Sequence, residues 1–252
     1  MKFIILGCGS SMGVPRSDGF FGKCDPKNKK NYRTRCSALL KTKNENILID
    51  TSPDLRKQLL DNKISKIDRV FYSHMHADQT HGINDLRIFF LKRSKTIPVY
   101  ADKLTQKYLA KTFSYCFKSK YIEYPAILKF KRFKKKFSLN KIIVQTCSVK
   151  HGQVMSTCYI FNKKLAYISD VNYIFPKDEI FFYNLDFLII DCLRYKFHPS
   201  HFNLEEVLKI IKKFSPKKAI LTNLHSDFDY KTLKNKLPKN VQPAYDGLTL
   251  NF

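Results

Sequence analysis

A cluster of ligand-type side chains directly after a predicted strand restricts the fold of this chain more than any other feature. Residues 68–72 contain Val, Phe and Tyr and favour a strand, and the next ten residues read Ser-His-Met-His-Ala-Asp-Gln-Thr-His-Gly. His74, His76 and Asp78 alternate in this turn, where their side chains can converge on one centre. Neutral imidazole and carboxylate groups are the donors that Zn²⁺, Mn²⁺ and Fe²⁺ bind. The segment therefore predicts a metal site at the end of a strand.

Single His or Asp residues also follow later apolar runs. His151 comes after a predicted strand that ends at Val149, Asp170 after Leu-Ala-Tyr-Ile-Ser, and His225 after Ala-Ile-Leu-Thr-Asn-Leu. A lone histidine is usually structural, and a His-rich loop is often ordinary surface. A folded sheet, however, gathers the ends of distant strands at one edge. The whole set therefore favours a shared metal centre over scattered surface histidines.

The pattern of apolar residues predicts an α/β chain with two sheets covered by helices. We expect helices at 52–62, 103–117, 204–214 and 230–237, with Asn203 as the N-cap of the third. Nothing in the sequence marks a linker or a repeat, so we predict a single domain over residues 1–252. The expected strands are 3–6, 37–42, 46–50, 68–72, 97–101, 141–148, 156–161, 165–169, 186–191, 219–223 and 249–252.

The charge of the chain favours an anionic substrate. Its 252 residues include 46 Lys and Arg against 21 Asp and Glu, a formal net charge of +25. Dense positive charge suits a nucleic acid or a phosphate, but Lys, Asn, Ile and Phe are abundant throughout, which also fits a bias of composition. Residues 129–137 interleave bases with aromatics. This segment predicts either a surface for single-stranded nucleic acid or, as we favour, an amphipathic edge strand.

The cellular setting follows from hydropathy and cysteines. No apolar run approaches the roughly 18 residues of a membrane-spanning helix, and the apolar stretch at the N-terminus is too short for a secretory signal. We expect a cytoplasmic protein with no membrane partner. The seven cysteines show no C-x-x-C pattern and suit buried thiols. Cys24 and Cys36 lie in a polar loop and are candidates for a structural zinc, although two thiolates make only half of a tetrahedral site.

Several motifs resemble those of the metallo-β-lactamase-fold hydrolases. His74-Met-His-Ala-Asp-Gln-Thr-His81 is similar to the H-x-H-x-D-H motif of that family, and Leu48-Ile-Asp50 to the strand and Asp that precede it. Other segments resemble the phosphonate-pathway cyclic phosphodiesterase subfamily, which hydrolyses a ribosyl cyclic phosphate. These segments are Gly82-Ile-Asn-Asp-Leu-Arg87, His198-Pro-Ser-His-Phe-Asn-Leu-Glu-Glu206, Leu221-Thr-Asn-Leu-His-Ser-Asp-Phe-Asp-Tyr230 and Tyr245-Asp-Gly-Leu248.

The resemblance implies an αββα four-layer sandwich and two divalent metal ions, zinc or manganese. Metal 1 would be held by His74, His76 and His151, and metal 2 by Asp78 and His225, with Asp170 bridging both ions. Where the family has a histidine, this chain has Gln79. An amide oxygen is a weaker donor than imidazole to such a metal, so we expect a weakened or lost second site. His81 is not the displaced ligand, and we interpret it as a residue that orients the loop.

The same resemblance implies metal-assisted hydrolysis, with Asp78 and His201 as catalytic residues. His201 matches a non-ligand histidine of the subfamily and can protonate the leaving alkoxide or hold the phosphate; a purely structural hydrogen bond is the alternative. We interpret His198 as structural, and Arg87 and Arg194 as candidates to steer phosphate.

The leading hypothesis is a phosphodiesterase that acts on a small or cyclic phosphate ester. The alternatives are a tRNA 3′-processing endonuclease, which would make RNA the partner, a non-catalytic module with a decayed metal site, and thioester or lactam hydrolysis on the same fold. The sequence shows no long Gly/Pro-rich arm of the kind that grips tRNA. A homodimer stays open.

Overall fold

A computed structural model describes residues 1–119 and 123–252, and the chain divides into two compact units. Unit 1 contains residues 1–6, 37–133 and 247–251, and unit 2 contains residues 7–36, 134–246 and 252. Each unit is built around one seven-stranded sheet. The prediction of a single domain over residues 1–252 stays a prediction.

The sheet of unit 1 has the strand order β14-β1-β2-β3-β4-β5-β6. The neighbours β3, β4, β5 and β6 run parallel, whereas β2 pairs antiparallel with β3 and β14 pairs antiparallel with β1. The carboxyl ends of parallel strands lie at one edge of a sheet, so residues that follow β3 and β4 are neighbours. The strands are β1 (Lys2–Gly7), β2 (Ser37–Lys41), β3 (Asn46–Ile49), β4 (Arg69–Phe71), β5 (Ile97–Tyr100), β6 (Leu128–Phe130) and β14 (Thr249–Asn251).

Helices of unit 1 bury their apolar residues against this sheet. Leu59, Phe89 and Leu109 belong to one core cluster with Val70 and Val99 of the strands. Burying each such side chain stabilises the fold by roughly 1.5–3 kcal/mol. The helices are α1 (Leu55–Asp61), α2 (Ala77–Thr80), α3 (Arg87–Arg93), α4 (Lys103–Thr112) and α5 (Ser114–Phe117), and a 3₁₀ turn spans Ile83–Leu86.

The sheet of unit 2 has the order β13-β12-β11-β10-β9-β8-β7. It begins as an antiparallel meander through β7, β8, β9 and β10, and then β10, β11, β12 and β13 run parallel. Residues at the ends of β10, β11 and β12 therefore share one edge. The strands are β7 (Lys136–Leu139), β8 (Ile142–His151), β9 (Val154–Phe161), β10 (Leu165–Ile168), β11 (Phe187–Asp191), β12 (Lys218–Thr222) and β13 (Val241–Pro243).

Helix α6 (Leu204–Phe214) shows how the sequence specifies unit 2. Asn203 caps it by accepting from the Glu206 amide, and the Glu206 side chain accepts from the Asn203 amide in return. This capping box satisfies two amides that the first turn leaves unpaired. Val207 and Ile211 pack in the core with residues of the strands. The second helix is α7 (Tyr230–Lys236), and 3₁₀ turns span Lys29–Asn31 and Pro176–Phe181.

The structure confirms helix 204–214 to the residue and the other expected strands and helices to within a few residues. It also corrects several expectations. The expected helix 103–117 is broken at Phe113 into α4 and α5, because Phe113 leaves the helical region with φ −119° and ψ 43°. Helices α2 and α3 and strand β13 were not predicted.

The basic and aromatic segment 129–137 supplies two edge strands rather than one. β6 closes the sheet of unit 1 and β7 closes the sheet of unit 2. Phe130 stacks on Phe117 with ring centroids 4.1 Å apart, while Lys129 and Lys136 are exposed. The segment thus has the edge-strand character that we favoured from its alternation, and its lysines protect both edges from unwanted pairing.

Among the described residues, no helix has both the length and the apolar character that crossing a membrane requires.

Candidate metal centre

Unit 1 positions His74 through the ends of two parallel strands. Asp50 follows β3, and its Oδ1 accepts from the amide of Ser73, which follows β4, at 2.7 Å. The Ser73 hydroxyl then lies 3.0 Å from Nδ1 of His74. All three residues are buried, and Asp50 adopts a left-handed conformation with φ 62°. This chain of contacts fixes the orientation of the His74 imidazole.

His74 and His76 direct ring nitrogens at each other. Nε2 of His74 lies 2.9 Å from Nδ1 of His76, and the ring centroids are 4.5 Å apart. His74 is buried and His76 is exposed. Two imidazole nitrogens at this distance either share a proton or present lone pairs to one cation. The alternation predicted from the sequence therefore brings these two side chains together.

Asp78 and Gln79 lie in helix α2, which begins directly after His76. The Gln79 side chain is fully buried, and its Nε2 donates to Oδ2 of Asp78 at 3.0 Å. The Gln79 carbonyl accepts from the amide of Thr51 at 2.8 Å. The contact with a carboxylate assigns the nitrogen end of the carboxamide, since a carboxylate accepts hydrogen bonds. Gln79 thus faces Asp78 through its NH₂ group.

Unit 2 gathers Asp170, Asp191 and Asn223 at the carboxyl edge of β10, β11 and β12. All three side chains are buried. Nδ2 of Asn223 donates to the Ser169 carbonyl at 3.0 Å and to Oδ1 of Asp170 at 3.2 Å. Oδ2 of Asp191 accepts from the amide of Val171 at 2.9 Å. The parallel register of three strands therefore builds a polar cluster from residues far apart in the sequence.

His151 ends β8 and presents one lone pair to this cluster. Its Nδ1 lies 2.8 Å from the Ser200 carbonyl, so Nδ1 carries the proton and Nε2 is left as an acceptor. Nε2 lies 4.0 Å from Oδ1 of Asp170. An imidazole oriented by a carbonyl in this way is the usual arrangement of a metal-ligating histidine.

His201 completes the cluster of unit 2 and is oriented by Asp191. Its Nδ1 lies 2.7 Å from Oδ2 of Asp191, and its ring lies 4.6 Å from that of His151. Burial raises the pKa of Asp191 to about 6, and the neighbouring His201 opposes that rise. The sequence analysis missed Asp191, although an Asp directly after Leu-Ile-Ile gave the same signal as Asp170.

The donors of unit 2 fit a divalent cation. One ligand atom from each of His151, Asp170 and His201 can be chosen so that all lie within 4.8 Å of one another. The imidazole of His151 and the carboxylate of Asp170 suit Zn²⁺ or Mn²⁺, while His201 is oriented beside them by Asp191. Such a cation, when bound, would supply an acidified water and neutralise phosphoryl oxygens.

His225 contacts Asp227 through Nδ1. Nδ1 of His225 accepts from the Asp227 amide at 3.3 Å and lies 3.5 Å from Oδ1 of Asp227. Asn223, two residues earlier, is the side chain that contacts Asp170. The sequence analysis missed Asn223, because an amide at a strand end is not a typical metal ligand.

Cys24 and Cys36 bind backbone carbonyls of unit 2. The Cys24 thiol donates to the carbonyls of Ser226 and Phe228 at 3.4 and 3.3 Å. The Cys36 thiol donates to the Gly9 carbonyl at 3.4 Å. Within residues 1–119 and 123–252, neither joins a group of three side chains able to hold a metal. All seven cysteines are free and buried.

The other candidates occupy separate places. In unit 1 the ring of His81 lies against Phe113, with its Nε2 3.1 Å from the Tyr108 hydroxyl, which suits an orienting role. The Arg87 guanidinium lies 5.0 Å from the centre of the Tyr124 ring. Arg87 also lines a groove of about 780 Å³ with Leu60, Ile88 and Leu91, and none of the histidines lines it.

Two further candidates lie in unit 2. Nδ1 of His198 accepts from the Ser200 amide at 3.3 Å, and burial lowers the pKa of His198. Arg194 donates to the Phe197 carbonyl at 2.8 Å. These contacts hold the loop around His201 and suit the structural role expected of His198.

Each unit has a sheet flanked by helices, and His and Asp side chains lie at the ends of its strands. These features define an α/β metal-binding protein. Residues 45–223 match the profile of the beta-lactamase superfamily domain. The chain belongs to this superfamily and has the metallo-β-lactamase fold. The predicted α/β fold class and the predicted family are confirmed.

Two solved structures show how far the similarity of the fold extends. A crystal structure described as a new diphosphatase from the PhnP family is 30% identical, with a TM-score of 0.90 over 100% of this chain and 96% of that one. The short form of human tRNase Z is 14% identical, with a TM-score of 0.68 over 100% and 99% of the two chains, and this likeness shows the fold alone.

An octanoyltransferase from Porphyromonas gingivalis (strain ATCC BAA-308 / W83) is 30% identical over 254 residues. The match covers 98% of this chain and 51% of that protein, so the chain spans about half the length of this curated relative.

Proposed function

We propose that the chain is a phosphodiesterase that hydrolyses a small phosphate ester, of the cyclic or diphosphate kind. The observation that carries this proposal is the cluster of His151, Asp170 and His201, in which a histidine oriented by the Ser200 carbonyl adjoins a carboxylate and a second histidine. The relative with a TM-score of 0.90 is described as a diphosphatase, which supports a phosphate substrate. The net charge of +25 supports an anionic one.

The proposed ligands are those that the family resemblance implies. His74, His76 and His151 would hold the first metal together with Asp170. Zinc and manganese both suit these donors. This assignment is supported within unit 1 by the paired nitrogens of His74 and His76, and within unit 2 by the Ser200 carbonyl, which orients His151 through Nδ1.

His201 would act on the leaving group. Oδ2 of Asp191 accepts a hydrogen bond from Nδ1–H of His201, and this leaves Nε2 as the reactive nitrogen. A protonated Nε2 can donate to the leaving alkoxide as the ester bond breaks, which is worth roughly 10²–10⁴ in rate. Asp78 remains a proposed site residue, and Arg87 a proposed phosphate contact. We also propose a cytoplasmic location, which the seven free thiols support.

Hydrolysis of model esters tests the proposal. Purified protein loaded with Mn²⁺ or Zn²⁺ is assayed on bis(p-nitrophenyl) phosphate, a ribosyl 1,2-cyclic phosphate, a diphosphate diester and a tRNA precursor. We expect turnover of at least one small ester above that of His201→Ala, with little cleavage of the tRNA. Preference for the tRNA would favour the 3′-processing endonuclease, the second candidate, which the charge also suits. Inactivity on all four with metal bound would contradict both.

A further inference from the structure

Two carboxylates assigned to the second metal each bind a neighbouring carboxamide. In unit 1, Nε2 of the fully buried Gln79 donates to Oδ2 of Asp78 at 3.0 Å. The sequence places Gln79 where the family has a histidine. The side chain that replaces the ligand therefore directs its NH₂ group, rather than its oxygen, at the adjacent carboxylate.

The second pair has the same chemistry in unit 2. Nδ2 of Asn223 donates to Oδ1 of Asp170 at 3.2 Å and to the Ser169 carbonyl at 3.0 Å, and it lies 3.2 Å from Nδ1 of His201. Two acceptors on one side fix the nitrogen end of this amide, which is only 2% exposed. The residue expected from the resemblance to supply imidazole, His225, lies two residues later, and Asp227 contacts its Nδ1.

An amide NH₂ group can stabilise a carboxylate in place of a cation, but it cannot itself bind a cation. Its N–H bonds place partial positive charge on the carboxylate oxygen and satisfy one of its lone pairs. The nitrogen has no lone pair for a metal, and the amide oxygen is a poor ligand for zinc compared with imidazole. Three imidazoles, those of His74, His76 and His151, are assigned to the first cation, whereas the second is assigned one, that of His225, with Gln79 in the place of another. The donor set is therefore rich for one cation and poor for a second.

We propose that this chain holds a single divalent cation, and that the carboxamides of Gln79 and Asn223 satisfy Asp78 and Asp170 in place of a second one. The inference rests on the metal assignment of the proposed function. It adds that the chain is a mononuclear member of a family in which the resemblance implies two metals, and that Asn223 takes part in setting this number.

The number of bound Mn²⁺ ions tests the inference without any assay of activity. Metal-free protein is titrated with MnCl₂, dialysed and measured by elemental analysis, and the bound metal is examined by electron paramagnetic resonance. We expect about one equivalent in the native chain, with the spectrum of isolated Mn²⁺. The double variant Gln79→His/Asn223→His should approach two equivalents and show the spectrum of a coupled pair. Gln106→His is the matched control, because the Gln106 amide donates to the Ala101 carbonyl and not to a carboxylate.

Each outcome is decisive. Two equivalents with a coupled spectrum in the native chain would overturn the inference and leave the proposed function standing. No bound metal in the native chain would overturn the proposed function itself. If the double variant folds, as judged by circular dichroism, and still holds one equivalent, the carboxamides do not set the number of metals. If it does not fold, the count in the native chain alone decides.

Discussion

Nδ1 of His201 lies 2.7 Å from Oδ2 of Asp191, a carboxylate that is completely buried at the end of β11. The two residues are ten positions apart, and the register of three parallel strands places Asp191 beside the cluster of unit 2. The contact fixes both the tautomer and the direction of the imidazole, so Nε2 is the nitrogen that can exchange protons.

Removing the imidazole of His201 should lower kcat by an amount that depends on the leaving group of the ester. We expect His201→Ala to lower kcat by roughly 10²–10⁴ on esters with poor leaving groups. The loss should be smaller on p-nitrophenyl esters, because p-nitrophenolate leaves without a proton. Steady-state kinetics on the two kinds of ester measure the difference. Equal losses on both would remove the acid role from His201.

The carboxylate provides a matched comparison for that experiment. Asp191→Asn keeps the shape of the side chain and weakens its hold on Nδ1, so we expect a loss of roughly 10–100-fold with the same dependence on the leaving group. Circular dichroism checks that the variant folds. If the loss in Asp191→Asn does not follow the leaving group as it does in His201→Ala, Asp191 only stabilises the loop and does not act through His201.

Two exposed histidines of unit 1 allow a clean test of metal binding. His76→Ala should lower the metal content of the purified protein, because it removes a nitrogen that lies 2.9 Å from Nε2 of His74. His81→Ala is the control, since His81 contacts Tyr108 and Phe113 instead. Elemental analysis of both variants gives the answer. Equal metal content in the two would refute the assignment of His76.

Salt dependence separates a small ester from RNA. A small phosphate carries few charges, so its kcat/KM should change only mildly between 50 and 200 mM salt. A substrate that engages about six phosphates should lose about 10³-fold in affinity over that range. We expect the mild dependence on the preferred substrate. A steep decrease of log kcat/KM with the logarithm of the salt concentration would favour the tRNA-processing alternative.

Asp246 should make stability fall as pH rises from about 4 to about 6. Burial raises the pKa of this carboxyl to about 6, against the opposing hydrogen bonds from Thr34 and Cys8. Between the unfolded pKa near 4 and the folded one, the unfolded chain has released the proton and the folded chain still holds it. The unfolded state therefore binds fewer protons in this window, and the free energy of unfolding decreases with pH. Above pH 6 the full cost is about 3 kcal/mol.

Urea unfolding of the native chain and of Asp246→Asn at pH 4.5 and 7.5 measures this effect. The asparagine cannot ionise, so the native chain should lose stability relative to the variant by up to about 3 kcal/mol between the two pH values. Asp191, which also has a raised pKa, is common to both proteins and cancels in the comparison. Parallel pH dependences would show that Asp246 keeps an ordinary pKa.

Local rules explain why some elements could be predicted closely from the sequence. Helix α6 has a polar cap at Asn203, a 3.6-residue apolar period and a proline beyond its end, and these local signals agree. Helix α3 was missed because its central Ile-Phe-Phe-Leu run, flanked by charges, has no clear periodicity. The break at Phe113 depends on tertiary packing, which a propensity argument does not contain.

Some residues of the candidate site could likewise be predicted from local sequence, and others could not. His74, His76, His151 and Asp170 were found because each is a ligand-type residue after an apolar run. Asp191 and Asn223 act through contacts that require the order of the strands in the sheet, and that order is not a local property. The two-residue offset between Asn223 and His225 cannot be settled by residue type, since only the exit of the chain from β12 decides which side chain faces Asp170.

The pairing of β1 with β14 has a consequence for synthesis. Phe3 lies opposite Leu250 in this ladder, so β1 is synthesised long before the strand that pairs with it. Until then the outer edge of β1 has unpaired amides and carbonyls beside apolar side chains. Such an edge can pair with other chains and aggregate. Contacts between residues this distant form slowly. The sheet of unit 1 is therefore completed only after translation has passed residue 251, and chaperone dependence should be concentrated in that interval.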